Sequence, residues 1–220
     1  METGRGVTLT AEEQERITSA VQRAERRTNA EIVPMIVERS GLYRDVQHRS
    51  GLIVALMTLS VLLTGETLWL PWGWHASNAV WLLVAVVLAY VGGTRIGMWP
   101  PIIRLVISHE RMRHKVTVRA ERAFAQHVVS QTRDRTGVLI MLSMLERQIY
   151  VLPDRSLAAL VNAERWTDVV QAAVERLHQG DIADGLSQAI DACGLVLAEA
   201  CPNRLGDNPN ELPDTLIQES

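Results

Sequence analysis

Hydrophobic and polar positions change rhythm along the chain. Near the amino terminus, Ile17, Ala20, Val21 and Ala24 stand at i, i+3, i+4 and i+7 behind the capping-box pattern Thr10-Ala-Glu-Glu13. This predicts an amphipathic helix over 11–28, broken by Asn29. Glu31-Ile-Val-Pro-Met-Ile-Val-Glu38 reads as a short apolar strand. Pro34 has no amide proton to give a ladder, which predicts an edge position or a bulge.

The rhythm then disappears. GLIVALMTLSVLLTGETLWL (Gly51 to Leu70) and SNAVWLLVAVVLAYVGGTRIGM (Ser77 to Met98) are apolar on every side. No charged residue lies between Arg49 and Glu66, and only the titratable His75 lies between Glu66 and Arg95. Each span has the length of a hydrocarbon core of about 30 Å. Glu66 is expected at or beyond an interface, and Arg95 can snorkel from the end of its span. Between them LPWGWHA permits a tight reversal at Pro71 and Gly73. Trp69, Trp72, Trp74 and Trp81 gather there, as an aromatic belt at one membrane interface would. The competing reading is a helical hairpin buried in a soluble core. Such a hairpin normally shows a polar stripe, and these spans have none.

Periodicity returns downstream. Val116, Ala120, Ala123, Phe124, His127 and Val128 mark an amphipathic helix over about 112–131, followed by a turn at Thr132 to Gly137. Two apolar runs, 138–144 and 148–152, flank Glu146-Arg147-Gln148 and predict a β-hairpin. The first run is apolar at nearly every position, so helices are expected on both of its faces. A short helix capped by Ser156 runs to Val161. A second, 164–178, carries Trp166, Val169, Val170, Ala173, Val174 and Leu177 on one face and ends at Gly180. Asp181 caps the last, whose apolar line is Ile182, Leu186, Ala189, Ile190, Cys193 and Leu197, stopped by Pro202. The tail 203–220, with four acids against one arginine, is expected to be extended or disordered.

These elements assemble into one discontinuous α/β domain, 8–40 and 112–202. It has a small central sheet flanked by helices and is interrupted by a transmembrane helical hairpin at 50–99 and a basic juxtamembrane segment at 100–111. Charge orients the hairpin. Arg39, Arg44 and Arg49 precede it, Arg95, Arg104, Arg111, Arg113, Lys115, Arg119 and Arg122 follow it, and the connecting loop has no Lys or Arg. The positive-inside rule then places both termini in the cytoplasm of a multi-pass inner-membrane protein. The polar stretch Met1 to Arg27, with no apolar core of a secretory signal, agrees. Arg104 to Arg119 is also basic enough to touch anionic headgroups, although such clusters commonly serve only as the topology signal.

Composition narrows the chemistry. The formal charge of −3 gives no reason to expect a nucleic-acid partner. Cys193 and Cys201 have neither redox nor metal spacing and read as reduced, mostly buried thiols.

The order LTAEEQERITSAVQRAERRTNAEIVPMIV, TGVLIMLSMLERQIYVLPD and WTDVVQAAVERLHQGDIADGLSQAIDACGLVLAEACP resembles the TPM-domain family. That family is named for a thylakoid-lumen protein, a photosystem II repair protein and an acetylcholine-receptor modulator. Gly137-Val-Leu-Ile140, the Glu146-Arg147 step, Trp166 and Gly180-Asp-x-x-x-Gly185-Leu186 carry the likeness. The inserted hairpin and the closing Asn210-Glu-Leu-Pro-Asp214 look like a bacterial subgroup of membrane proteins. The resemblance implies a central sheet flanked by helices and little chemistry: an acid phosphatase activity attributed to a plant relative, and assembly, repair or accessory roles for others.

The residues themselves show no P-loop, cysteine-phosphatase loop, GxSxG or HExxH. Six scattered histidines make no evident metal site, His109 and His114 falling on different helix faces. Asp134, Glu146 and Asp154, at strand and turn ends, are the remaining candidates to hold Mg²⁺ or Ca²⁺ through oxygen ligands. Against this, Asp in a turn satisfies its own backbone, Glu146 and Arg147 read as turn charges, and Trp166 reads as core. The sequence therefore favours a membrane-anchored TPM-like domain that binds an unidentified membrane or cytoplasmic protein for assembly or quality control, with no cofactor. A divalent-metal-dependent phosphatase-like hydrolase is the alternative.

Overall fold

The computed structural model of the 220-residue chain describes residues 9–69, 76–127, 136–178, 181–203 and 212–219. In chain order the elements are α1 (Ala11–Glu25), β1 (Glu31–Val37), α2 (Arg44–Trp69), α3 (Ala76–Ile96), α4 (Pro100–Val106), α5 (His109–His127), β2 (Gly137–Ser143), β3 (Gln148–Pro153), α6 (Arg155–Leu160), α7 (Ala163–His178), α8 (Ile182–Ala200) and β4 (Ile217–Glu219). They form two compact units, Met1–Gly41 with Met112–Ser220, and Leu42–Arg111.

The first unit is built on a four-stranded sheet of order β3-β2-β1-β4. β1 and β2 run parallel from Glu31↔Gly137 to Val37↔Ser143, and β3 closes an antiparallel hairpin on β2. Side chains alternate between the two faces of a strand, and both faces here are covered. Ile32, Ile36, Val138, Ile140 and Leu142 join Ile17, Val21, Ala173, Leu186, Ile190 and Leu197, so α1, α7 and α8 cover one face. Val33, Met35, Val37, Leu139 and Met141 join Val116, Ala120 and Ala123 of α5 on the other. This double cover is why β1 and β2 are apolar at nearly every position.

Local signals explain most boundaries. The Thr10 hydroxyl accepts the Glu13 amide at 3.2 Å, while the Glu13 carboxylate accepts the Thr10 amide at 2.7 Å, which completes the capping box. α1 stops at Glu25, short of the predicted 28. The Thr28 hydroxyl and the Asn29 amide instead donate to the Cys201 carbonyl, at 2.7 and 3.1 Å, and tie the chain to the end of α8. At Gly194 of α8 an added Cβ would lie 2.6 Å from the Ala24 Cβ, so only glycine permits this approach of α8 to α1.

Pro34 behaves in a way the sequence only half anticipates. β1 is not an edge strand, because β4 pairs with it from Met35↔Ile217 to Val37↔Glu219. The Glu31 amide points to Thr136 at the start of β2, whereas the Ile32 and Glu38 amides point the opposite way, to Glu25 and Glu219. By that alternation Pro34 faces the β4 side, one residue before β4 begins, where no ladder proton is required.

The tail, expected to be extended or disordered, is extended at β4 among its described residues and docks on the sheet. Leu212 is buried among Val33, Met35 and Val116, and Glu219 pairs with Arg119 and His127 of α5. An isolated apolar residue in a polar segment is too weak a periodic signal to announce a strand, so packing alone decides this contact.

The second unit is the hairpin with α4. Of the apolar windows in Arg44–Gly65 and Ala79–Ile96, only 17% and 6% are buried. A soluble core hairpin would be mostly buried, and this one is not. Where α2 and α3 touch, small residues let the backbones approach: a Cβ on Gly93 would stand 2.9 Å from the Gly51 Cα and 3.0 Å from the Ser50 carbonyl oxygen. Gly97 meets Ser50 and Gln47 in the same way, so Gly93-x-x-x-Gly97 forms a small-xxx-small seam.

Candidate functional site

The parallel strands β1 and β2 deliver the following residues to one place, the carboxyl end of the sheet, where α/β folds usually form their sites. The turn 144–147 is drawn against the segment after β1 by hydrogen bonds from the Met144 and Leu145 amides to the Val37 and Glu38 carbonyls, at 3.0 and 2.9 Å. Arg147 closes the turn with φ of +52°, in the left-handed region. Glu146 is thereby directed inward and buried. Its carboxylate accepts the Ser40 amide at 3.1 and 3.3 Å and the hydroxyl of buried Ser143. The Ser40 hydroxyl in turn donates to the Ser143 oxygen at 2.8 Å.

The result is a chain, Ser40 to Ser143 to Glu146, with the half-buried Ser40 at its outer end. Chemically it orients the segment leaving β1. Glu146 receives one N–H and one O–H, both charge-assisted and sheltered from water. Sequence reasoning marked Glu146 as a metal ligand or an exposed turn charge and missed Ser40 and Ser143. Two serines 103 residues apart carry no local signal of proximity.

The other candidate ligands lie elsewhere. Asp154 follows the far end of β3, at the Val138↔Pro153 end of the hairpin, whereas Glu146 stands beyond the Ser143↔Gln148 end. The intervening strand spans roughly 17 Å at about 3.3 Å per residue, so the two carboxylates do not share an ion. Asp154 is the N-cap of α6: its side chain accepts the Arg155 amide and its carbonyl the Ala158 amide, at 2.9 Å for the latter. It replaces Ser156 in the role that the sequence suggested, because a carboxylate at the end of β3 reaches the first free amides. Asp134 lies outside the described residues. Among the described residues no three His, Cys, Asp or Glu side chains are grouped to hold a metal ion.

Of the four interfacial tryptophans, Trp81 is 73% exposed on α3, Trp69 is the last residue of α2, and Trp72 and Trp74 lie outside the described residues. Among the orienting basic residues, Arg44, Arg49, Arg95 and Arg113 are exposed, Arg104 and Lys115 are half-buried, and Arg111 pairs with Asp45 at 2.7 Å. Trp166 is half-buried against the α7–α8 core, as expected. Both cysteines are unbridged. Burial pushes the Cys193 thiol up to about 12, which makes it inert at physiological pH.

A second acidic group gathers at the opposite, amino end of the parallel strands. Burial raises the Glu25 carboxyl to about 8, opposed by the Ile32 amide that donates to it and reinforced by the charges of Glu31 and Asp214. Glu31 is itself buried and accepts the Leu212 amide at 3.3 Å. This group ties α1, β1 and the tail together.

Residues 103–196 match the family model described as the TPM domain. No curated protein matches the chain. Among solved structures it is similar to the NMR structure of BA42 protein from the psychrophilic bacterium Bizionia argentinensis, at 18% identity, with a TM-score of 0.59 and 100% of each chain covered. At that identity the likeness concerns the fold. The matched segment supplies β2, β3 and α5 to most of α8, while α1 and β1 complete the same sheet and core. Residues 103–196 are therefore similar to the TPM domain, and the chain as a whole shares the fold of the BA42 structure.

Proposed function

We propose that this protein is a TPM domain held at the bacterial inner membrane by the α2–α3 hairpin, where it binds another protein as an assembly or quality-control module. The observation that carries the reading is the exposure of the hairpin's apolar surface. Among the described residues, fourteen large hydrophobic side chains from Leu52 to Ile96 are exposed. Keeping that area in water costs about 25 cal/mol per Å² relative to hydrocarbon. Lipid is the solvent that removes the cost. α3, with 21 residues, is about 31 Å long at 1.5 Å per residue, matching a hydrocarbon core.

Orientation rests on the basic flanks, which favour both termini in the cytoplasm. The preference for a binding role over hydrolysis rests on how the acids are employed: Glu146 orients Ser40, and Asp154 caps a helix. The full-length chain is expected to stay with membranes through an alkaline carbonate wash and to need detergent for release. A carboxyl-terminal reporter should be active in the cytoplasm and silent outside it. Full-length protein freely soluble without detergent would overturn the anchoring, and an externally active reporter would overturn the orientation. Phosphate release from model phosphoesters that depends on Mg²⁺ or Ca²⁺ would restore the hydrolase.

A further inference from the structure

α3 does not run directly into the soluble chain. It closes with hydrogen bonds from Gly97 to Gly93, Met98 to Arg95 and Trp99 to Ile96, at 2.9, 3.1 and 3.0 Å, and the helix ends. Pro100 and Pro101, which need no amide partner in a first turn, then start α4 at once. Within this elbow the helical period separates two faces. Ile103 and Ile107, four apart, are buried. Leu105 lies about 200° around from Ile103 at 100° per residue, and is 86% exposed. Met98 and Val106, each 53% exposed, and Trp99, 64% exposed, are further apolar side chains that the elbow leaves uncovered. It is continuous in sequence with the exposed end of α3 at Ile96.

The charge around this surface is one-sided. Segments 42–50 and 95–111 contain Arg44, Arg49, Arg95, Arg104 and Arg111 against only Asp45 and Glu110. An apolar edge carrying an exposed tryptophan and leucine, bordered by arginines, fits a single environment: the boundary between acyl chains and anionic headgroups. Trp99 presents the amphipathic ring favoured at that depth, and arginine stems can lie along the apolar edge with their heads in the phosphate layer.

We propose that the Trp99–Val106 elbow is an interfacial foot, with Leu105, Val106 and Trp99 set into the anionic leaflet of the same bilayer that α2 and α3 cross. This rests on the anchoring reading above and adds to it a second, shallow lipid contact. It fixes the depth at which the chain leaves the membrane, since α4 occupies the headgroup boundary before α5 begins.

The test uses full-length protein carrying Cys193→Ala and Cys201→Ala, with a single environment-sensitive fluorophore placed by Leu105→Cys, Val84→Cys in mid-α3, or Arg155→Cys in α6. Each protein is reconstituted into vesicles of phosphatidylethanolamine and phosphatidylglycerol, and quenching is compared for lipids carrying bromine deep in the chain or a nitroxide at the headgroup. Position 84 is expected to lose most of its emission to deep bromine, and position 155 to lose none to either. Position 105 should be quenched chiefly by the headgroup nitroxide, with a blue-shifted emission. Position 105 behaving like 155 while 84 is quenched overturns the foot and leaves the anchor standing. Position 105 quenched as deeply as 84 overturns the interfacial placement. Position 84 unquenched overturns the anchor and the foot together.

Discussion

Glu146 holds the backbone amide of Ser40 with both carboxylate oxygens, at 3.1 and 3.3 Å, across 106 residues of sequence. The contact fixes the chain as it leaves β1, two residues before the second unit begins at Leu42. Glu146→Ala would leave the Ser40 amide and the buried Ser143 hydroxyl without this acceptor. Each charge-assisted bond is worth about 1.5–3 kcal/mol, so Glu146→Ala should lower the stability of the detergent-solubilised protein by about 3 kcal/mol in denaturant titration. Glu146→Gln keeps an acceptor and should cost less than half as much. Equal effects of the two would refute the hydrogen-bonded role.

Gly93 predicts the behaviour of the hairpin. Its neighbour Gly92 has open space around a built Cβ, whereas at Gly93 that atom meets the Gly51 backbone. Gly93→Leu should therefore push α3 from α2 and cost about 1–3 kcal/mol, as overpacking does, while Gly92→Leu should be tolerated. Thermal unfolding of the detergent-solubilised protein provides the readout, unchanged for Gly92→Leu and lowered for Gly93→Leu. Equal melting temperatures would show that the two helices do not meet at this seam.

Glu25 gives a pH dependence of defined sign. Its folded-state value, about 8, lies above the ordinary 4.5, so folding takes up a proton. The stability this contributes is complete below pH 4.5 and is lost as pH rises towards 8. The melting temperature should fall as pH rises through that window, and Glu25→Gln should flatten the fall while keeping an acceptor for the Ile32 amide. A wild-type profile rising between those limits would contradict the assignment.

Asp154 separates helix capping from metal chemistry. Asn is as good an N-cap as Asp, and alanine costs about 0.5–2 kcal/mol. Asp154→Asn should thus match the wild type in thermal unfolding, Asp154→Ala should be lower by about 1 kcal/mol, and Ser156→Ala should be unchanged. A stabilisation by Mg²⁺ or Ca²⁺ that Asp154→Asn abolishes would instead mark the carboxylate as a ligand.

Leu212 reports on the docked tail. It is buried on the α5 face of the sheet with Val33 and Met35. Leu212→Ala should cost about 2–4 kcal/mol by loss of buried volume. Glu219→Gln, which removes a partly exposed pairing with Arg119 and His127, should cost under about 1 kcal/mol. Faster proteolysis of the carboxyl terminus in Leu212→Ala, but not in Glu219→Gln, checks the order. The reverse order would place the hold on the tail in its charges.

Sequence by itself determined whatever depends on neighbours within a few positions. The capping box at Thr10, the N-cap at Asp181, the β-hairpin around Glu146, the buried faces of α1, α5, α7 and α8, and the two long apolar spans all follow from periodicity and local chemistry. Tertiary structure decided what depends on residues far apart in the chain. It paired β1 with β2 around the inserted hairpin, and it placed Ser40 beside Ser143 and Glu146. It seated Leu212 under the sheet and put Glu146 and Asp154 at opposite ends of a strand. The physical reason is that helical and strand periods register which face of an element is apolar and carry no information on which partner will cover it. That choice is made only when distant segments compete for the same buried surface.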